Sequence, residues 1–351
     1  MQSLVNRYEL MDANDSVEFL DERSFNLLIK YYEKEDQKDK ALSVIDNAIT
    51  QHSYSVDFFI QKAQLLLGIS RVKEALDALE RARVFAPNDL GITLLRADAL
   101  SRMGECDDAL ELLEGIKNHV SRTESAVVYI AEASIYEYQE DYNNMYYALQ
   151  DAILADPSNQ EALERMWICV ELSEKYNESK DLHQELIDEN PYCYLSWYNL
   201  GQAYFHLDDL YEAMEAYEYA FVINEKFEFA IRDYAEVCLL LEKYNRALEC
   251  YKLALEHFRP DADLFTKIGF CFEGLGNFDR AKHFYNKAAR LEPENSYIYF
   301  RRGEVYRKEE SNISAIKSFE KAIELNPRKE EYYASLANTY ATVDDLSLIH
   351  I

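Results

Sequence analysis

Glycine and proline are scarce, nine and six in 351 residues. The chain accordingly has no phosphate-cradling glycine loop and no long Ser-, Gly- or Pro-rich linker that would divide it. The six cysteines, Cys106, Cys169, Cys193, Cys238, Cys250 and Cys271, form no Cys-x-x-Cys pair; buried reduced thiols are the natural reading. The histidines stand singly, without His-x-x-x-His or His-Glu-x-x-His spacing. No catalytic or metal-binding constellation emerges, so neither enzymatic activity nor a cofactor is expected. Positive charge is in deficit, with 37 Lys and Arg against 65 Asp and Glu, a net charge of -28. Such a surface repels phosphate backbones and anionic headgroups, which argues against nucleic acid and membrane as partners. It reads either as a solvated, self-repelling coat or as a preference for basic-apolar peptide segments. The exception is the stretch 296–329, with Arg301, Arg302, Arg307, Lys308, Lys317, Lys321, Arg328 and Lys329. Long apolar runs are also missing, and Met1 to Leu20 carries Arg7, Glu9, Asp12, Asp15 and Glu18 in place of a signal-peptide core. A cytoplasmic protein is expected, and the unpaired cysteines suit a bacterial cytosol.

What the chain has in quantity is aromatic residues, 28 Tyr and 17 Phe, and a period of 34. Trp197, Leu200, Gly201, Tyr204, Ala213, Tyr217 and Ala220 recur as Phe265, Ile268, Gly269, Phe272, Ala281, Tyr285 and Ala288, and again as Tyr299, Gly303, Tyr306, Ala315, Phe319 and Ala322. Carried outward, the register gives units at 22–55, 56–89, 90–123, 126–159, 160–193, 194–227, 228–261, 262–295 and 296–329, with a tenth from 330. About two extra residues between Lys117 and Ser125 account for its one slip. The unit 160–193 fits poorly, with Trp167 at a small-residue position and His183 at an aromatic one. Each unit holds two stretches with apolar residues at helical spacing, and the recurrent Gly and Ala fall where two helices approach closely. Pro87, Pro157, Pro191, Pro293 and Pro327 mark the joints, because proline removes a donor and pushes the preceding residue out of helical geometry. A lone helix pair cannot bury its apolar face, so stability must come from stacking.

This pattern resembles the tetratricopeptide repeat. The resemblance implies an all-α fold, an α-solenoid winding as a right-handed superhelix of helix-turn-helix repeats. In this reading residues 1–21 form an N-terminal capping segment, 22–346 a solenoid of nine repeats plus a truncated tenth, and 347–351 a non-native tail. The tail expectation rests on Leu346-Ser347-Leu348-Ile349-His350-Ile351, which a transposon-end sequencing adapter would encode; the natural chain is expected to continue.

The resemblance further implies that positions 2, 5, 9, 12 and 13 of each unit face a concave groove. The later units place there Leu195, Tyr198, Gln202, Phe205 and His206, then Phe229, Arg232 and Glu236, then Phe270 and Glu273, then Tyr297, Phe300 and Glu304. Tyr198, Gln202, Phe205, Phe229, Arg232, Phe270, Tyr297 and Phe300 are therefore the candidate groove residues, since aromatics beside carboxylates suit an extended peptide or a helix with apolar anchors and basic neighbours. Packing between successive first helices is the competing reading for each aromatic. Early units are less apolar there, with Asn26, Lys30, Ile60, Gln64, Leu94, Asp98, Glu137, Glu161 and Glu164. The family's carboxylate clamp is not supplied by any three successive units. Its asparagine ladder is missing too, since position 6 reads Leu27, Gln61, Leu95, Ala131, Arg165, Asn199, Asp233, Lys267, Arg301 and Ser335. The expected function is a non-catalytic scaffold that binds peptide or helical segments of partner proteins. The alternative is a recruiting arm of a larger protein with an effector or enzyme domain beyond residue 351. Self-association through terminal repeats is a third reading.

Overall fold

The computed structural model describes residues 2–13 and 18–342, among which twenty α-helices follow one another without a strand. The expectations for Leu346 and for the tail at 347–351 lie outside the described residues. The chain groups into two compact units, Met1–Ser173 and Glu174–Ile351. Their boundary falls inside 160–193, the repeat that departs furthest from the sequence pattern.

The first unit contains α1 (Gln2–Ala13), α2 (Glu22–Lys34), α3 (Lys38–Gln51), α4 (Val56–Gly68), α5 (Val72–Phe85), α6 (Leu90–Arg102), α7 (Cys106–Lys117), α8 (Arg122–Tyr138), α9 (Tyr142–Ala155) and α10 (Gln160–Ser173). Val5 and Tyr8 of α1 are buried in the same core as Phe25, Leu28 and Tyr32 of α2, and Asn47 Nδ2 donates to the Tyr8 hydroxyl at 2.6 Å. Thus α1 covers apolar surface on the first helix pair. Asp21, Asp89 and Ser121 cap helix N-termini, Ser121 in a reciprocal capping box with Glu124, which satisfies amide donors the helix itself leaves orphaned.

The second unit contains α11 (Tyr176–Glu189), α12 (Tyr194–His206), α13 (Leu210–Ile223), α14 (Glu228–Leu240), α15 (Tyr244–His257), α16 (Ala262–Gly274), α17 (Phe278–Leu291), α18 (Ser296–Lys308), α19 (Asn312–Leu325) and α20 (Glu330–Thr342). Within each repeat the small residues let the helices close. Gly201 lies under the ring of Tyr217, Gly269 under Tyr285 and Gly303 under Phe319, each so near that an added Cβ would fall 2.5 to 2.7 Å from a ring carbon. Ala213, Ala220, Ala247, Ala254, Ala281, Ala288, Ala315 and Ala322 are fully buried on the second helices.

Backbone conformation fixes the register independently of the side chains. Left-handed residues occur at Asp36, Ser70, Gly104, Glu140, Glu174, Asp208, Glu242, Gly276 and Glu310. Each is the fifteenth residue of its unit and ends the first helix. The spacing is 34 throughout except between Gly104 and Glu140, where it is 36. The two inserted residues of the sequence reading therefore sit between those turns. Seven of the nine sites lack glycine, so the scarcity of glycine leaves strain at most of the repeat turns.

Candidate functional site

Polar residues at position 6 of the first helices tie neighbouring units together. Gln61 donates to Asn26 at 2.8 Å, and Arg165 reaches Glu137 at 2.7 Å and Ser134 at 3.0 Å. In the second unit Asp233 accepts from the Tyr198 hydroxyl at 2.8 Å and from Gln202 Nε2 at 2.9 Å. Lys267 donates to both oxygens of Glu236 at 2.6 and 2.5 Å. Arg301 donates to Glu273 at 2.7 Å, and Lys308 and the Tyr285 hydroxyl complete that buried carboxylate at 2.9 and 2.8 Å. Burial raises the Asp233 carboxyl above its ordinary range, opposed by the bonds from Tyr198 and Gln202. Burial, reinforced by Glu236 and Glu273, lifts the Tyr251 and Tyr285 phenols well above theirs. A buried charge is tolerable only when paired and hydrogen-bonded, and Glu273 with three donors meets that condition.

Between these ties the first helices α14, α16 and α18 open a recess of about 250 Å³. Leu239, Leu240, Thr266, Phe270 and Tyr297 supply its apolar surface, and Glu236, Asp263, Lys267, Glu292 and Asn295 its polar groups. Most of these occupy positions 2, 5, 9, 12 and 13 of their units, the positions that the family resemblance assigns to the inner face.

The eight residues expected in the groove separate into distinct environments. Phe270 and Tyr297 line the recess, and Tyr297 is 45% exposed. Phe229 is 57% exposed, with its ring 5.9 Å from that of Phe227. Phe205 is half-buried against His206, ring centres 5.6 Å apart. Gln202 is held by Tyr198 and Asp233, while Arg232 bridges Glu228 at 2.8 Å and Asp261 at 2.9 Å, the latter capping α16. Tyr198 and Phe300 are each 3% exposed: Tyr198 packs on Phe227 at the end of its own repeat at 4.9 Å and donates to Asp233 of the next, and Phe300 packs on Tyr332 of the following repeat at 4.8 Å. Glu273, also expected on the face, is enclosed by the tie to Arg301. Leu239, Leu240, Asp263 and Thr266 were missed, although the same position rule selects them; Glu292 and Asn295 belong to the joint before α18 and carry no such signal.

Among the described residues no group of three or more His, Cys, Asp or Glu side chains is arranged to hold a metal ion. No described helix is long and apolar enough to cross a membrane. All six cysteines are free, five of them buried and Cys193 half-buried.

Helix pairs that recur every 34 residues, three of them closed by a glycine under an aromatic ring, define a helical-hairpin repeat protein. The family model described as tetratricopeptide repeat matches residues 194–226, 262–295 and 296–329, so these three repeats are of the tetratricopeptide type. It is 21% identical over 332 residues to a TPR repeat-containing protein of Methanocaldococcus jannaschii, covering 89% of this chain and 58% of that relative. A small glutamine-rich tetratricopeptide repeat-containing protein of Dictyostelium discoideum is 31% identical over 96 residues, 27% of this chain and 29% of the relative. Among solved structures the TPR protein YrrB, described as having an unusual peptide-binding site, is similar at a TM-score of 0.39 and 20% identity, covering 47% of this chain and 84% of its own. The chain thus spans little more than half the length of its archaeal relative.

Proposed function

We infer that the protein is a non-catalytic interaction scaffold, and that its second unit captures a peptide or helical segment of a partner along α14, α16 and α18. The observation that carries this reading is the recess itself. It joins half-exposed aromatic surface at Phe270 and Tyr297 to three carboxylates, Glu236 of one repeat and Asp263 and Glu292 of the next. An apolar pocket ringed by a few fixed polar groups is the usual form of a segment-binding site. The acidic balance favours basic-apolar segments over nucleic acid or anionic membrane.

The test is affinity capture with the intact chain and with Phe270→Ser and Tyr297→Ser variants. Both are expected to lose the partner while keeping helicity and melting temperature near those of the parent. Tyr54→Ser, at an exposed aromatic of the first unit, should keep it. Retention of the partner by a folded double variant would refute the assignment.

A further inference from the structure

We propose that the recess between α14, α16 and α18 receives the side chain of an arginine in an otherwise apolar partner segment. This deepens the reading above and rests on it. The lining carries three carboxylates, Glu236, Asp263 and Glu292, and one cation, Lys267. That lysine is already spent, its ammonium clasped by both oxygens of Glu236 at 2.5 to 2.6 Å. Asp263 feels only cations that other carboxylates hold: Lys267 on its own helix, and Arg232 at 4.0 Å, whose guanidinium is shared with Glu228 and Asp261 at 2.8 and 2.9 Å. Glu292 takes one hydrogen bond from Asn295 at 2.9 Å and has no cationic partner among the described residues. Two carboxylates therefore stand beside an apolar wall, Asp263 near cations that are bonded elsewhere and Glu292 with no cation of its own among the described residues.

An arginine fits this combination better than a lysine or an apolar residue. Its methylene stem covers Leu239, Leu240 and Thr266, its planar head stacks on aromatic surface, and its donors fork between separate carboxylates. The protein uses the same solution internally. The Arg301 guanidinium lies 4.6 Å from the centre of the Phe270 ring while donating to Glu273, and such a cation over an aromatic face is attracted by the ring quadrupole. A lysine head is a compact, strongly hydrated charge that satisfies one carboxylate at a time. A leucine would leave Asp263 and Glu292 partly desolvated and unpaired.

The probe is a positional-scanning library of nine-residue amidated peptides built from leucine, phenylalanine, serine, arginine, lysine and glutamate. It is passed over the immobilised intact chain and over an Asp263→Asn/Glu292→Gln variant. Both replaced side chains are on the surface, so the variant should melt with the parent. At one library position arginine should be enriched over leucine by about tenfold on the parent, the effect of one well-made charge-assisted contact, and this preference should vanish on the variant. No arginine preference on the parent, or the same preference on the variant, would overturn the arginine assignment while leaving an apolar anchor site intact. Peptide retention unchanged by Phe270→Ser/Tyr297→Ser would instead overturn the recess as the binding site altogether.

Discussion

A methyl group placed on Gly269 would lie 2.7 Å from Cε1 of Tyr285, and the backbone of α16 can therefore seat against α17 only because that methyl is absent. Gly201 with Tyr217 and Gly303 with Phe319 repeat the arrangement. Replacing Gly269 by Ala should destabilise the second unit by about 1 to 3 kcal/mol through overpacking, measured as a lower urea midpoint at unchanged slope. Gly115, exposed near the end of α7 with nothing within 4 Å of its added Cβ, provides the opposite case. There alanine should stabilise by up to about 1 kcal/mol through helix propensity alone.

The repeat turns predict a second pair of opposite outcomes. Glu242 and Glu310 adopt left-handed backbone at φ 55 and 59°, a conformation that disfavours residues with a Cβ by about 1 kcal/mol or more. Glycine at either site should raise the melting temperature. Alanine at Gly104 or Gly276, with φ 83 and 70°, should lower it.

His183 makes stability depend on acid. It fills the slot held elsewhere by Tyr217, Tyr251, Tyr285 and Phe319, is fully buried, and has no hydrogen bond on either ring nitrogen. Burial pushes its imidazole down from 6.5 to about 3. The unfolded chain then binds a proton that the native chain does not between those two values, so stability is unaffected above 6.5 and falls as pH drops below it. At pH 5 the loss should be about 2 kcal/mol. His183→Phe should remove that increment, seen as a smaller drop in melting temperature between pH 7 and 5.

The Arg301 tie predicts a large effect at a position that looks like surface in the sequence. Arg301→Leu leaves the buried Glu273 carboxylate with only Lys308 and Tyr285, and should cost about 3 kcal/mol, in the range for a broken buried pair. Lys321→Ala, which removes an exposed helical pair with Glu324, should leave the denaturation midpoint unchanged.

The repeat register was fully legible, down to the two-residue slip, because it is written in local chemistry. Small residues, aromatic knobs and joint prolines recur at fixed offsets, and the left-handed turns at Gly104 and Glu140 show the slip in the backbone. The exposure of the expected groove residues was not legible. Position within a helix gives the angle at which Tyr198 leaves the axis. Whether Phe227 at the joint and Asp233 of the next repeat then close over it depends on how the two repeats pack. Tyr198 and Phe300 became packing residues for that reason, whereas Tyr297 and Phe270 kept open surface. The ties at Asp233, Lys267 and Arg301 were invisible for a related reason: each joins residues 28 to 35 positions apart whose charges alone do not select a partner.

Hydrogen–deuterium exchange of the intact chain, with and without the partner segment it captures, tests the central claim most directly. Slowed exchange concentrated in α14, α16 and the start of α18, abolished by Tyr297→Ser and Phe270→Ser, is the predicted result. Protection confined to the first unit, or protection that persists in the folded double variant, would contradict the account.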